Sequence, residues 1–288
     1  MFGECHAHIF MNGYDYKKAV ADHIHGPNEE WIREHLQAYK DAGVTFVRDG
    51  GDIYGSSRLA KKIAPEYGID YRTPMFAIHK NGCYGGIVGY GFDTMREYHQ
   101  LVCMGKEQGA DFVKIMTTGI MDFDQFGVIT GEPLVKEEVR EMTHIAHEEG
   151  MAVMAHTNGA KPVQIAIEAG VDSIEHGNYI DRETVQMLSK SETVYVPTAV
   201  TIANLLGDNR FPEKEVKKIL EAAKENIAEA FAQNVHVGLG SDAGAYRVGH
   251  GTGIQDEYRL FAEVVQDEDL VQRVILKSEQ MIREKFRA

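Results

Sequence analysis

Met-Ala-Val-Met-Ala-His-Thr-Asn-Gly (Met151 to Gly159), Ala-Lys-Pro-Val-Gln-Ile-Ala-Ile-Glu-Ala-Gly (Ala160 to Gly170) and Val-Asp-Ser-Ile-Glu-His-Gly (Val171 to Gly177) follow one another without a break. The short apolar run Ala152 to His156 predicts a buried strand. Pro162 to Ala169 predicts a helix that stops at Gly170, a residue suited to the left-handed turn of a tight helix-to-strand return. Ser173 to His176 predicts the next strand. Two strands joined through a helix are parallel, and each ends on a histidine.

The same alternation extends in both directions. Strands are predicted at Glu4 to Phe10, Thr45 to Asp49, Tyr71 to Ile78, Phe112 to Thr117, Ala152 to His156, Ser173 to His176, Val194 to Thr198 and His236 to Ser241. Helices are predicted at Trp31 to Ala42, Ser56 to Tyr67, Thr94 to Gln108, Lys136 to Glu149, Pro162 to Ala169, Asp181 to Ser189, Glu213 to Gln233 and Gly253 to Val265, with a last amphipathic stretch from Leu270 to Phe286. Gly43, Gly109 and Gly150 repeat the stop seen at Gly170. Eight strand-then-helix units in 288 residues predict a mixed α/β fold, a (β/α)₈ TIM barrel, as one domain over 1–288. A doubly wound sheet is the alternative, but no Gly-x-Gly-x-x-Gly follows the first strand.

Composition narrows the function. With 30 Lys+Arg against 44 Asp+Glu the chain carries a net charge of −14, which repels phosphate backbones and anionic bilayers, so neither nucleic acid nor membrane is an expected partner. No apolar stretch approaches the roughly 20 residues of a membrane span, and the N-terminal residues lack the pattern of a secretory signal. A cytoplasmic location is expected. The three cysteines, Cys5, Cys83 and Cys103, are scattered and odd in number, as reduced thiols are.

Ionisable residues gather at the predicted strand ends, the place where barrels of this kind keep their chemistry. The first strand supplies His6 and His8, the fourth Lys114, the fifth His156, the sixth His176 and the eighth Asp242. Residues i and i+2 of a strand share a face, so His6 and His8 are expected to point inward together, with Cys5 and Ala7 toward the helices. Lys114, buried among histidines, is expected to be neutral, since an ammonium there is costly. A neutral amine can add CO₂ to become a carbamate, an anionic oxygen ligand. His23 and His25 read as loop residues, and His144 and His147 as an exposed helix face. Arg48 and Asp49 read as a structural ion pair.

In this order of ligands the chain resembles the amidohydrolase superfamily. More narrowly, Gly43 to Gly51, Phe112 to Gly119, Val196 to Thr198 and Gly240 to Gly244 are similar to the imidazolonepropionase-like and Xaa-Pro or Xaa-Arg dipeptidase group. Two features depart from that group. Its usual accessory β-sandwich has no counterpart before His6, and its substrate loops are changed at Ile120 and across His79 to Gly86.

The resemblance implies a binuclear hydrolase. One divalent ion, zinc by preference, would be held by His6, His8, carbamylated Lys114 and Asp242, and a second by the same carbamate with His156 and His176. Metal-activated hydroxide would attack an amide or peptide-like C–N bond of a small substrate, with Asp242 moving the proton and Lys114 and His176 sharing the catalytic role. Tyr84, Tyr179, Arg210, Arg247 and His250 are the candidate substrate residues. The alternatives are a lactonase or phosphotriesterase-like enzyme on the same site, or a barrel that binds metal or ligand without turnover. Apolar barrel ends left by the absent sandwich suggest a homo-oligomer.

Overall fold

The computed structural model describes residues 2–287. In chain order its elements are β1 (Glu4–Ala7), α1 (Tyr16–His23), α2 (Glu29–Asp41), β2 (Phe46–Asp49), α3 (Ser56–Ile63), β3 (Asp70–Arg72), β4 (Ala77–Lys80) and β5 (Gly89–Phe92), then α4 (Met95–Glu107), β6 (Val113–Met116), α5 (Lys136–Glu148), β7 (Val153–Thr157), α6 (Ala160–Ala169) and β8 (Ser173–His176). They continue with α7 (Arg182–Ser189), β9 (Val194–Val196), α8 (Val200–Ala203), α9 (Glu213–Ala232), α10 (Thr252–Val265) and α11 (Glu268–Lys285). Paired strands are parallel, in the orders β1-β2-β3 and β5-β4-β6-β7-β8-β9. This is the sheet of a TIM barrel with helices outside it.

The barrel closes through the extended segment 236–243. Tyr195 N donates to His236 O and Gly238 N to Tyr195 O on one side, while Cys5 N donates to Leu239 O and Asp242 N to His6 O on the other. Glycine allows this close approach: a Cβ on Gly240 would lie 2.6 Å from Val196 Cγ1 and 2.9 Å from His6 N. The eighth strand expected at His236 to Ser241 is therefore extended and hydrogen-bonded without being a regular ladder.

Three further expectations change. The strand expected from Tyr71 to Ile78 is split into β3 and β4, because Pro74 offers no N–H and Met75 takes a left-handed φ of +67°. Asp111 receives Thr73 N at 2.9 Å and so ties down the break. Residues 16–23, of which only His23 carried an expectation, as a loop residue, form α1, capped by Asp15, whose carboxylate receives Lys17 N and Lys18 N. His23 ends that helix, buried, with Nδ1 accepting from Asn28 N at 2.9 Å, while His25 is exposed. Strand β5, beside β4, was not expected.

Two packed regions flank the sheet. The helix-facing side of the strands, Ala7, Val47, Ile115, Ala155 and Ile174 among them, packs on the apolar stripes of the surrounding helices. Inside the barrel, Cys5, Phe46, Phe112, Met154, Val194 and Val196 form a floor closed from below by Ile282 and Phe286 of the C-terminal helical segment. Cys5 thus joins the floor and not the helix layer: the pairing of β1 with β2 shifts register between Glu4 and Ala7, which breaks strict alternation. This apolar floor, one of the barrel ends that suggested a partner copy, is packed by Ile282 of the chain's own α11 and by Phe286 just after it.

Candidate metal centre

Above the floor the same strands turn polar. Phe112 is followed two residues on by Lys114, Met154 by His156 and Phe46 by Arg48, each pair on one face of its strand. Lys114 is 1% exposed and its Nζ lies 3.1 Å from His6 Nε2. Asp242 Oδ1 sits 3.5 Å from His6 Nε2 and 3.7 Å from His8 Nε2. One donor atom from each of His6, His8 and Asp242 lies within 4.8 Å of the others. Gly50 makes room for His8, since a Cβ there would meet the ring at 2.3 Å.

His156 and His176 lie beside this trio, with ring centroids 4.6 Å apart and His176 5.1 Å from His6. Their donor atoms are less committed to one point. His156 Nε2 faces Gly119 O at 3.0 Å, and His176 Nδ1 faces Thr198 Oγ1 at 2.7 Å, which leaves His176 Nε2 free of that bond.

His176 reaches the cavity by a route that alternation does not foresee. On β8 the inward residues are Ser173 and Glu175, so His176 would face the helices, but its φ of +71° turns it back over the mouth. Asp242 (φ +58°) and Thr198 (φ +52°) are in the same conformation. A β-branched threonine there is a true outlier, and the buried Glu257 holds it by receiving Ala199 N at 2.9 Å and Val200 N at 2.6 Å.

Glu175 is the residue that sequence reasoning missed most plainly. Its Oε2 lies 2.8 Å from His6 Nδ1 and its Oε1 receives Arg48 Nη2 at 2.8 Å. A carboxylate at Nδ1 selects the tautomer that keeps the Nε2 lone pair aimed at Lys114 and Asp242. Arg48 completes its bonds with Cys5 O and Ser173 Oγ, so the expected Arg48–Asp49 pair does not form. Neighbours on a strand face opposite ways: Asp49 instead accepts Ile9 N, Gly51 N and Ser57 Oγ.

Burial governs the protonation of the site. It pushes His8 and His156 down to about 3 and lowers His6 and His176, with Lys114 adding to the effect. Burial also lowers Lys114 and raises Asp242. Neutral imidazoles are the form that binds metal. Asp242 Oδ1 is buried with no hydrogen-bond partner, so a cation is what this donor set lacks. The residues fit a divalent ion.

A cavity of about 590 Å³ opens over the centre. Tyr84 and Arg210 line it. Tyr84 stacks obliquely 5.1 Å from His156, and the Arg210 guanidinium lies over Tyr246 at 4.3 Å. The other three candidate substrate residues do not line it. Tyr179 packs on Phe126, Arg247 pairs with Asp208 at 3.0 Å, and His250 is buried between Tyr39 Oη and Met11 O. Two lining asparagines were unforeseen: Asn178 Nδ2 donates to Asn158 Oδ1, whose own Nδ2 donates to Gly119 O. Their signal is the repeat His156-Thr-Asn158 and His176-Gly-Asn178.

Residues 4–279 match the model of the amidohydrolase family. Ochratoxinase of Aspergillus niger is 26% identical over 236 residues, 79% of this chain and 44% of that protein, so the chain spans less than half the length of this curated relative. A Xaa-Pro dipeptidase crystallised with methionine in its active site superposes with a TM-score of 0.80 at 22% identity, over 99% of this chain and 75% of that one. The crystal structure of the Aspergillus niger ochratoxinase gives 0.77 at 18% identity, over 97% and 70%.

Proposed function

We propose that this chain, which belongs to the amidohydrolase family, is a metal-dependent hydrolase of an amide or peptide-like C–N bond in a small substrate, with 1–288 acting as one catalytic domain. The observation that carries this reading is the convergence of His6, His8 and Asp242 beside a buried lysine, beneath a cavity of substrate size. His6, His8, Asp242 and a carbamate on Lys114 would hold one divalent ion, and the carbamate with His156 and His176 a second. Zinc suits imidazole and oxygen donors. Such ions supply Lewis acidity, lowering the pKa of water and polarising a carbonyl.

The chain's own residues do the rest. Asp242, raised by burial, takes a proton from the attacking water and delivers it to the leaving nitrogen. Glu175 keeps His6 in its ligating tautomer, and Thr198 does the corresponding service at His176 Nδ1. Burial of the Lys114 amine favours its neutral form, the form that reacts with CO₂. At the mouth, Met121, Phe123, Leu205 and Phe211 offer an apolar wall, and Arg210 is a cation with no carboxylate partner among the described residues. That pairing favours a substrate with an apolar group and a carboxylate, clasped by the guanidinium.

The test is elemental analysis after purification in zinc and bicarbonate, joined to a panel of N-acyl amino acids, dipeptides, cyclic amides, lactones and phosphotriesters. Two ions at the barrel mouth and turnover confined to the amides are expected. One ion, with Lys114 unmodified, removes the carbamate bridge. Lactone or phosphotriester turnover alone moves the enzyme to another reaction class, and metal without turnover makes the barrel a binder.

A further inference from the structure

Outside the barrel wall, α4 presents His99 and Cys103 one helical turn apart, at i and i+4 and so on one face. The C-cap of α5, Glu149, meets them there. One ligand atom from each, the imidazole nitrogen, the thiol sulfur and a carboxylate oxygen, lies within 4.8 Å of the others. We propose that His99, Cys103 and Glu149 form a second metal site, for a thiophilic divalent ion such as zinc, which staples α4 to α5.

The geometry is near what such an ion needs. Bonds of about 2.0–2.2 Å to nitrogen and oxygen and about 2.3 Å to sulfur place tetrahedral ligands roughly 3.3–3.6 Å apart. His99 Nε2 and Glu149 Oε1 now stand 2.9 Å apart in a hydrogen bond, so they have only to part slightly. His99 is half exposed and free to adjust. The three ligands leave a fourth position for water.

The local field also favours a cation. Glu107 and Glu149 both act on the Cys103 thiol, and the carbonyl ends of α4 and α5 lie close by. Lys106 is the present occupant of that field: its Nζ donates to Glu149 O at 2.7 Å and Oε2 at 3.2 Å, which leaves Oε1 turned to His99. Metal and ammonium therefore compete.

Sulfur makes the site separable from the centre at the barrel mouth, whose proposed ligands are nitrogen and oxygen. Cobalt(II) titrated into the full chain should develop a thiolate-to-cobalt charge-transfer absorption. In Cys103→Ser that absorption should vanish and one ion fewer should bind, leaving the two expected at the barrel mouth. His99→Gln, at an exposed position, should raise the half-saturating cobalt concentration, and Lys106→Ala should lower it. The proposal is overturned if the wild type shows no charge-transfer absorption, or if the absorption survives Cys103→Ser and is lost in Cys5→Ser or Cys83→Ser. Either result is independent of whether the barrel hydrolyses amides.

Discussion

The floor and the mouth of this barrel are built on the same strands, two residues apart, and obey opposite rules. At the foot of β6 and on β7 the lower inward residues, Phe112 and Met154, pack with Phe46, Val194 and Phe286, and the buried Arg48 beneath the centre has a partner on each of its three nitrogens, Glu175 among them. The upper residues, Lys114 and His156, join histidines and an aspartate whose Oδ1 has no partner, with His176 and Asp242 held at left-handed angles. Leaving a buried polar group unpaired costs about 1–3 kcal/mol, and each such angle at a non-glycine residue costs about as much again. The floor stabilises the fold, and the mouth spends part of that stability on a site that the proposed cation would complete.

Lys114→Ala should separate the two halves most sharply. If Lys114 carries the proposed carbamate, losing it should lower kcat by about 10⁴-fold or more, above about 5 kcal/mol in barrier. Short carboxylic acids in the buffer should restore part of the rate by occupying the vacated place. Removing a buried amine whose one hydrogen-bond partner among the described residues is His6 should leave thermal stability nearly unchanged. A variant that keeps most of its activity would make Lys114 a filler of the barrel, and the mouth no different in kind from the floor.

Phe286→Ala is the converse. The ring is fully buried, 5.2 Å from Phe112 and 4.5 Å from the Arg48 guanidinium. Its removal should cost about 3–5 kcal/mol of unfolding free energy by chemical denaturation, with kcat and metal content close to wild type. Equal loss of metal binding would show that floor and mouth are coupled and do not act as separate layers.

Asp242→Asn keeps the size and one oxygen but cannot accept a proton at neutral pH. Metal should be retained while kcat falls about 100-fold, equivalent to about 2.7 kcal/mol, with a smaller change in KM. Turnover within a few-fold of wild type would reduce Asp242 to a ligand.

The floor and mouth also differ in how openly the sequence displays them. Parallel α/β order, the helix stops at glycine and the gathering of His6, His8, Lys114, His156 and Asp242 at strand ends all follow from period-2 and period-3.6 patterns, which are local. What stayed hidden depends on departures from those patterns. Its place at a strand end singled out His176, although alternation alone would turn it toward the helices; the left-handed turn at that residue reverses the side it faces. The same reasoning passed over Glu175, whose partners Arg48 and His6 are 127 and 169 positions away in sequence. The break at Pro74 and the shift in β1 moved Tyr71 to Ile78 and Cys5 from their expected places for the same reason: one irregular residue changes every facing beyond it. Arg247 and His250 fell outside the cavity because a loop's position at the mouth does not decide which of its side chains turns inward.

The smallest effect tests the floor from outside. His147 Nε2 lies 2.9 Å from Asp172 Oδ2, and that carboxylate oxygen also receives Val153 N at the start of β7. Hydrogen bonding to Asp172 raises His147 above its ordinary value of 6.5, against a smaller opposing effect of burial. A histidine whose folded pKa exceeds its unfolded one binds its proton more tightly in the folded state. Its contribution is then fully present below about pH 6.5 and is lost as pH rises through the folded value. With the His147 side chain 41% exposed, solvent screening limits that contribution to about 0.5 kcal/mol. Denaturation of wild type and His147→Gln from pH 6 to pH 9 should show the variant less stable at the acidic end and the two curves converging at the alkaline end. The mouth histidines, held neutral by burial, gain their protons only on unfolding and so add a slope of the opposite sign toward the acidic end, common to both proteins and absent from their difference. Curves that stay parallel would mean that the pair is decorative and that Asp172 braces β7 through Val153 N alone.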